Sequence, residues 1–166
     1  MTFTTDNTFA AQTFNPVDAV STTVESIKRL SADEQLGLLW VIYTEMGRSI
    51  TPAATGAARL QFAQGLLDKI REMAPNEQLK FMQDLANQVN TPLTRAYGVL
   101  SANNKLAFWY QLAVWMEEGT VIPVPDYYKL SDAASNLFGK ICSLEFNQQI
   151  TLLRKIVVDM GIDPLA

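Results

Sequence analysis

The chain contains no histidine. That removes the commonest general base, the serine and cysteine protease triads and nearly every transition-metal site, leaving carboxylate chemistry or a mechanism supplied by a bound molecule. No enzymatic activity and no metal are expected. A single cysteine, Cys142, rules out an internal disulfide, and its place in the apolar pattern Leu137, Phe138, Ile141, Leu144 predicts burial rather than reactivity. The longest apolar run, Leu38 to Tyr43, falls far short of the roughly 20 residues of a membrane span. Met1 to Asn15 lacks the basic start and apolar middle of a signal peptide, so a soluble, intracellular protein is expected. Nor does one sign of charge dominate. The 13 Lys and Arg against 17 Asp and Glu give a net charge of −4, which excludes broad attraction to nucleic acid or anionic lipid but allows a local basic patch.

What is present is apolar and helical. At 166 residues and 48% hydrophobic, the chain can bury one good core but not two independent ones. Glu34 to Gly47 (EQLGLLWVIYTEMG) and Gln148 to Gly161 (QQITLLRKIVVDMG) share six of fourteen aligned residues, which points to a duplicated helical bundle. Trp40 in the first copy falls opposite Arg154 in the second.

The first fourteen residues, with Phe3, Phe9 and Phe14, show no period and read as an arm able to dock on the body. Asn15 and Pro16 mark a helix start, followed by Val17, Val20, Val24 and Ile27 on one stripe. Ser31 with Glu34 forms a capping box opening a helix expected to end at Gly47. Thr51 and Pro52 begin a looser, small-residue stretch, and helical spacing resumes through Ala63, Leu67 and Ile70. Pro75, Thr91 with Pro92, and Ser101 begin three further helices, the last ending at Gly119. In VIPVPDYYKL the prolines forbid helix and favour an extended path that sets Val121, Val124, Tyr127 and Tyr128 on a wall. Ser131 caps a helix running to about Leu144, and the second copy of the repeat closes the chain. No strand-like alternation occurs. The expected fold is all-α, eight or nine helices in two four-helix bundles packed or interleaved.

The aromatic residues could form ordinary core, but two features set them apart. Phe108, Trp109 and Tyr110 lie about 100° apart around one helix and cannot all face one small core. Trp40 and Tyr43 share a face and, with Met82 and Met116, would make a polarisable lining for a flat apolar ligand. Arg154 sits at the edge of its helix's apolar face, either snorkelling or offering a fork to a partner carboxylate. Glu117 and Glu118 are adjacent, point apart and make a poor catalytic dyad.

The segments LLWVIYTEMG, DLANQVNTPLTRAY and KLAFWYQL, the PVP connector followed by Tyr128 and KLS, and QQITLLRKIVVDMG closely resemble the helical carotenoid proteins, that is, the N-terminal carotenoid-binding domain of the cyanobacterial orange carotenoid protein. The resemblance runs from about Ala19 to the end, so 1–18 are assigned to an N-terminal arm and 19–166 to a carotenoid-binding helical domain, stand-alone or excised. It implies two interleaved four-helix bundles holding one keto-carotenoid, such as canthaxanthin or echinenone. The implied lining is Leu36, Trp40, Tyr43, Met82, Trp109, Tyr110, Met116, Val124, Tyr128 and Ile150. Arg154 and Asn103 match partner contacts, to a C-terminal domain and, for Arg154, to the phycobilisome.

The implied role is photoprotection, mainly by quenching singlet oxygen and carrying carotenoid. Constitutive quenching of phycobilisome excitation through Arg154 is the alternative, and a pigment-free helical adaptor the reading from another class. A cytoplasmic location follows, peripheral to the thylakoid where a phycobilisome is bound. A separate homologue of the C-terminal domain is an expected exchange partner, and the chain is expected to be a monomer or weak homodimer.

Overall fold

The computed structural model describes the backbone of residues 16–55 and 61–165 and the side chains of 18–47 and 61–165. Among these residues there are eight helices and no strand: α1 (Pro16–Lys28), α2 (Ala32–Thr55), α3 (Gln61–Glu72), α4 (Pro75–Ala86), α5 (Pro92–Gly98), α6 (Ala102–Glu118), α7 (Asp132–Cys142) and α8 (Phe146–Asp159). The arm with Phe3, Phe9 and Phe14 and the small residues Ala53 to Ala58 lie outside the described side chains. Helix α1 begins at Pro16, inside the segment assigned to the arm.

Local chemistry explains the starts. Ser31 accepts from the Glu34 amide at 3.2 Å while Glu34 accepts from the Ser31 amide at 2.9 Å, so two otherwise unpaired donors of α2 are satisfied reciprocally. Thr91 and Thr94 do the same for α5, and the hydroxyls of Ser101 and Ser131 cap α6 and α7. Gly119 and Gly161, at φ 79° and 73°, end α6 and the final helical repeat in the left-handed conformation that glycine adopts cheaply.

Helices α1, α2, α7 and α8 pack as one group and α3 to α6 as another, joined where α6 lies on α2 and α8 and where α4 meets α2. The first bundle is therefore made from the two ends of the described chain, with the second spliced between them. This is the expected pair of interleaved four-helix bundles. The repeat also has a physical basis: Leu38, Leu39 and Ile42 of α2, and Leu152, Leu153 and Ile156 of α8, are all buried at corresponding places.

Several expectations are corrected. Helix α2 does not stop at Gly47 but runs to Thr55, through Thr51 and Pro52. A glycine ends a helix when it turns to positive φ, and Gly47 keeps a helical one, where an added Cβ would meet the Tyr110 ring at 3.5 Å. Cys142 is exposed rather than buried: α7 points Ala134, Leu137 and Ile141 inward, and the next residue is turned about 100° away. Helix α7 also stops at Cys142, with Ser143 as its cap. As expected, Phe108, Trp109 and Tyr110 do not share a single core: α6 is flanked by α2, α3 and α8 and packs rings on several sides.

Candidate functional site: an aromatic-lined cavity

A cavity of about 310 Å³ lies between α2, α4, α6 and the proline connector. Eight of the ten residues expected to line a site border it: Leu36, Trp40, Tyr43, Met82, Trp109, Met116, Val124 and Tyr128. Tyr110 and Ile150 do not. Tyr110 packs against Tyr43 at 6.4 Å between ring centroids, one layer behind the wall, and Ile150 packs on the core from α8. The cavity also takes in Pro123 and Pro125 of the connector, and Leu39, Leu79, Ala113 and Ile122, whose aliphatic side chains carry no distinguishing sequence signal. Its rim reaches solvent at Asp33, Pro123 and Pro125, all exposed.

Each wall is held in place. The Tyr43 hydroxyl donates to the carbonyl of Leu106 at 2.9 Å, and Trp109 Nε1 donates to Tyr97 Oη at 2.9 Å. The connector is fastened by Gln78, only 2% exposed, which accepts from the Ile122 amide at 2.8 Å and donates to the Ile70 carbonyl at 3.0 Å. With both ends satisfied, this buried amide carries no unpaired polar group. Tyr128 closes one side by lying directly on Gly37, where a Cβ would collide with the phenol oxygen. Any side chain at Gly37 would push that ring away. Tyr127, expected on the same wall, is 85% exposed instead: a turn brings the Tyr128 amide to the Pro125 carbonyl at 2.9 Å and sends the two neighbouring rings in different directions.

Polar chemistry is confined to the rim. Gln83 Nε2 donates to Asp33 at 2.8 Å, joining α4 to α2 beside the mouth. Burial raises the Tyr128 phenol pKa, with smaller contributions from the Asp33 and Glu34 carboxylates. No group of metal-ligating side chains occurs among the described residues, and none of their helices is long and apolar enough to cross a membrane.

Arg154 and Asn103 stand apart from the cavity and meet each other, with Arg154 Nη2 donating to Asn103 Oδ1 at 3.0 Å. Trp115 also lies off the wall and carries the Arg71 guanidinium 5.3 Å from its ring centroid. Tyr97, fully buried behind the cavity, is not singled out in the sequence, where it is only the last residue of the segment DLANQVNTPLTRAY.

Two buried phenols give this site a pH signature. Burial raises the pKa of both Tyr43 and Tyr97 well above the ordinary 10.0. Above that pH the unfolded chain ionises both while the folded chain keeps them neutral, so stability falls as pH rises, by about 1.4 kcal/mol per pH unit for each phenol. Lys105, whose pKa is lowered by burial, acts in the opposite direction just below 10.5. The loss of stability with pH, followed by urea unfolding, is expected to steepen past pH 10, and Tyr43→Phe to make it shallower. A pH-independent midpoint would contradict the burial of these hydroxyls.

The fold and the site together define an all-helical domain with an apolar, aromatic-walled cavity between interleaved bundles. Residues 13–163 match the family model described as "Orange carotenoid protein, N-terminal", and the chain belongs to that family. It is 55% identical, over 100% of its length and 99% of the relative's, to an orange carotenoid-binding domain-containing protein of Nostoc sp. (strain PCC 7120). Among solved structures, it resembles the canthaxanthin-binding orange carotenoid protein of Anabaena (Nostoc) sp. PCC 7120, with TM-score 0.81 and 48% identity over 89% of this chain. The match spans about half of that larger protein, 48% of its chain. The red carotenoid protein of the same organism, also binding canthaxanthin, matches with TM-score 0.77 and 39% identity over 86% of this chain and 97% of that one.

Proposed function

We propose that this protein binds a keto-carotenoid in the cavity between its bundles and serves in photoprotection, mainly by quenching singlet oxygen and carrying the pigment. The observation that carries this reading is the lining itself: Trp40, Tyr43, Trp109 and Tyr128 with Met82 and Met116, and a carboxylate only at the rim. A conjugated rod has no charge and little hydrogen-bonding capacity. Its affinity must come from burial, dispersion and contact with rings and sulfur, which this wall supplies. At about 310 Å³ the cavity is at the lower end of small-molecule sites, so a long polyene would extend past the rim or displace the Tyr128 ring. The bound pigment would carry the photochemistry, and the protein would fix its position and planarity.

The same reading puts the protein in the cytoplasm, with a separate homologue of the C-terminal domain as a partner in pigment exchange. Constitutive quenching of phycobilisomes is a second reading, favoured by the partly buried Arg154, whose Nη2 is held by Asn103 and whose Nε has no partner. Expression in a host that makes canthaxanthin tests both readings. The purified protein is expected to show a broad visible band and to shorten singlet-oxygen luminescence; a colourless product removes the proposal. Loss of phycobilisome fluorescence on mixing, abolished by Arg154→Glu with colour retained, would favour antenna quenching over oxygen scavenging.

A further inference from the structure

Tyr97 does not itself line the cavity, yet it is bonded to a ring that does, Trp109, and joins that ring to the other bundle. Its hydroxyl accepts from Trp109 Nε1 at 2.9 Å and donates to the carbonyl of Val157 at 2.5 Å. The three residues belong to α5, α6 and α8, so one phenol oxygen links the indole at the cavity wall to the helix that carries Arg154.

The phenol itself has almost no freedom. It is fully buried, edge-to-face with Phe108 at 5.3 Å and with Trp109 at 6.5 Å, and the Lys105 ammonium lies 5.2 Å from its centroid. On another side the bare backbone of Gly161 is so close that a Cβ there would lie 2.7 Å from the ring. A clamped hydroxyl that both accepts and donates in a buried site holds its partners more firmly than the same bonds in solvent. Its removal leaves an indole N–H and a helix carbonyl unpaired at once.

We infer that Tyr97 is a positioning residue for the ligand site: through its oxygen it fixes the plane of the Trp109 indole against whatever fills the cavity, and it ties that plane to α8. This rests on the carotenoid reading only for its optical consequence. A polyene packed against an indole of fixed plane acquires a defined twist, so Tyr97 would set the induced circular dichroism of the visible band without contacting the pigment.

The test uses Tyr97→Phe, Trp109→Phe and the double variant, each as apoprotein and as protein purified with pigment. In the apoprotein, Tyr97→Phe is expected to reduce the near-ultraviolet dichroism due to Trp109 by roughly half, because that signal depends on fixed tertiary packing. In the pigmented protein it is expected to shift the visible dichroism while colour is retained, and that shift should vanish in the Trp109→Phe background. An equal shift with and without Trp109, or wild-type near-ultraviolet and visible spectra in Tyr97→Phe, overturns the inference. If no variant holds pigment, the near-ultraviolet arm alone decides the role of Tyr97, and the failure falls on the proposed function. Should Tyr97→Phe fail to fold, exchange of the Trp109 indole proton in the wild type decides. The inference expects it to be on the order of a hundredfold slower than that of Trp40, whereas equal rates would overturn it.

Discussion

Ala113→Phe is expected to abolish pigment uptake while leaving the apoprotein folded. Ala113 projects from α6 into the cavity, on the same helix as Trp109 and Met116. A phenyl ring there would occupy roughly a third of the free volume, which leaves no continuous path for a rigid rod. The apoprotein has no reason to suffer, because filling an apolar void returns up to about 2 kcal/mol of the cost of keeping it open. The ratio of visible to ultraviolet absorbance is expected to fall at least tenfold, about 1.4 kcal/mol or more in affinity, with an equal or higher melting temperature. Full colour in a normally folded Ala113→Phe protein would place the pigment elsewhere. Truncation of the rings themselves is a poorer probe. Trp109 is only 4% exposed and bonded to Tyr97, so Trp109→Ser would remove core and ligand wall together, at about 3–5 kcal/mol.

Gly161→Ala is expected to be among the most destabilising single-methyl additions, and Gly119→Ala to be its control. Both glycines have positive φ, 73° and 79°, so alanine at either costs about 1–2 kcal/mol of backbone strain. They differ in surroundings. Nothing lies within 4 Å of a Cβ at Gly119, whereas a Cβ at Gly161 would stand 2.7 Å from the Tyr97 ring and 3.0 Å from the Thr94 carbonyl. The tail cannot move aside easily, because the Gly161 amide donates to Leu85 at 2.9 Å and the Ile162 amide to Thr94 at 3.2 Å. The overlap should add about 2 kcal/mol, for a total near 3 and a fall in melting temperature of roughly 6–12 °C. Equal losses in the two variants would mean that Tyr97 does not press on this turn.

Much of this architecture is legible in the sequence. Ser31 with Glu34, Thr91 with Pro92, Ser101 and Ser131 mark helix starts because capping is decided within four residues. The stripes Val20, Val24, Ile27 and Ala63, Leu67, Ile70 mark inward faces because burial follows the helical period. The wall residues Trp40, Tyr43, Met82 and Met116 can be grouped because Trp40 and Tyr43 share a helix face and their ring and thioether chemistry suits a flat apolar guest.

Where pattern and fold disagree, the cause is the same. Gly47 has the look of a stop, but a glycine ends a helix only where it turns to positive φ, and here the helical backbone continues to Thr55. Cys142 lies one residue from the buried Ile141 and Tyr127 one from the partly buried Tyr128, and a single step along a helix or turn changes exposure. Tyr97 stands in an ordinary short helix and acquires its role only when Trp109 and Val157 approach it from other elements.

Short-range steric and capping rules, together with composition, suffice for an all-helical chain without histidine chemistry, with a duplicated helix and a stock of rings and thioethers suited to an uncharged guest. Packing at long range settles the rest: α6 is flanked on several sides, Tyr110 stands behind Tyr43 and Ile150 packs on the core away from the lining, Gln78 fastens the connector, and one phenol links the cavity to α8. Those contacts join residues more than ten positions apart, and their geometry depends on how whole helices settle against one another, which no local pattern encodes.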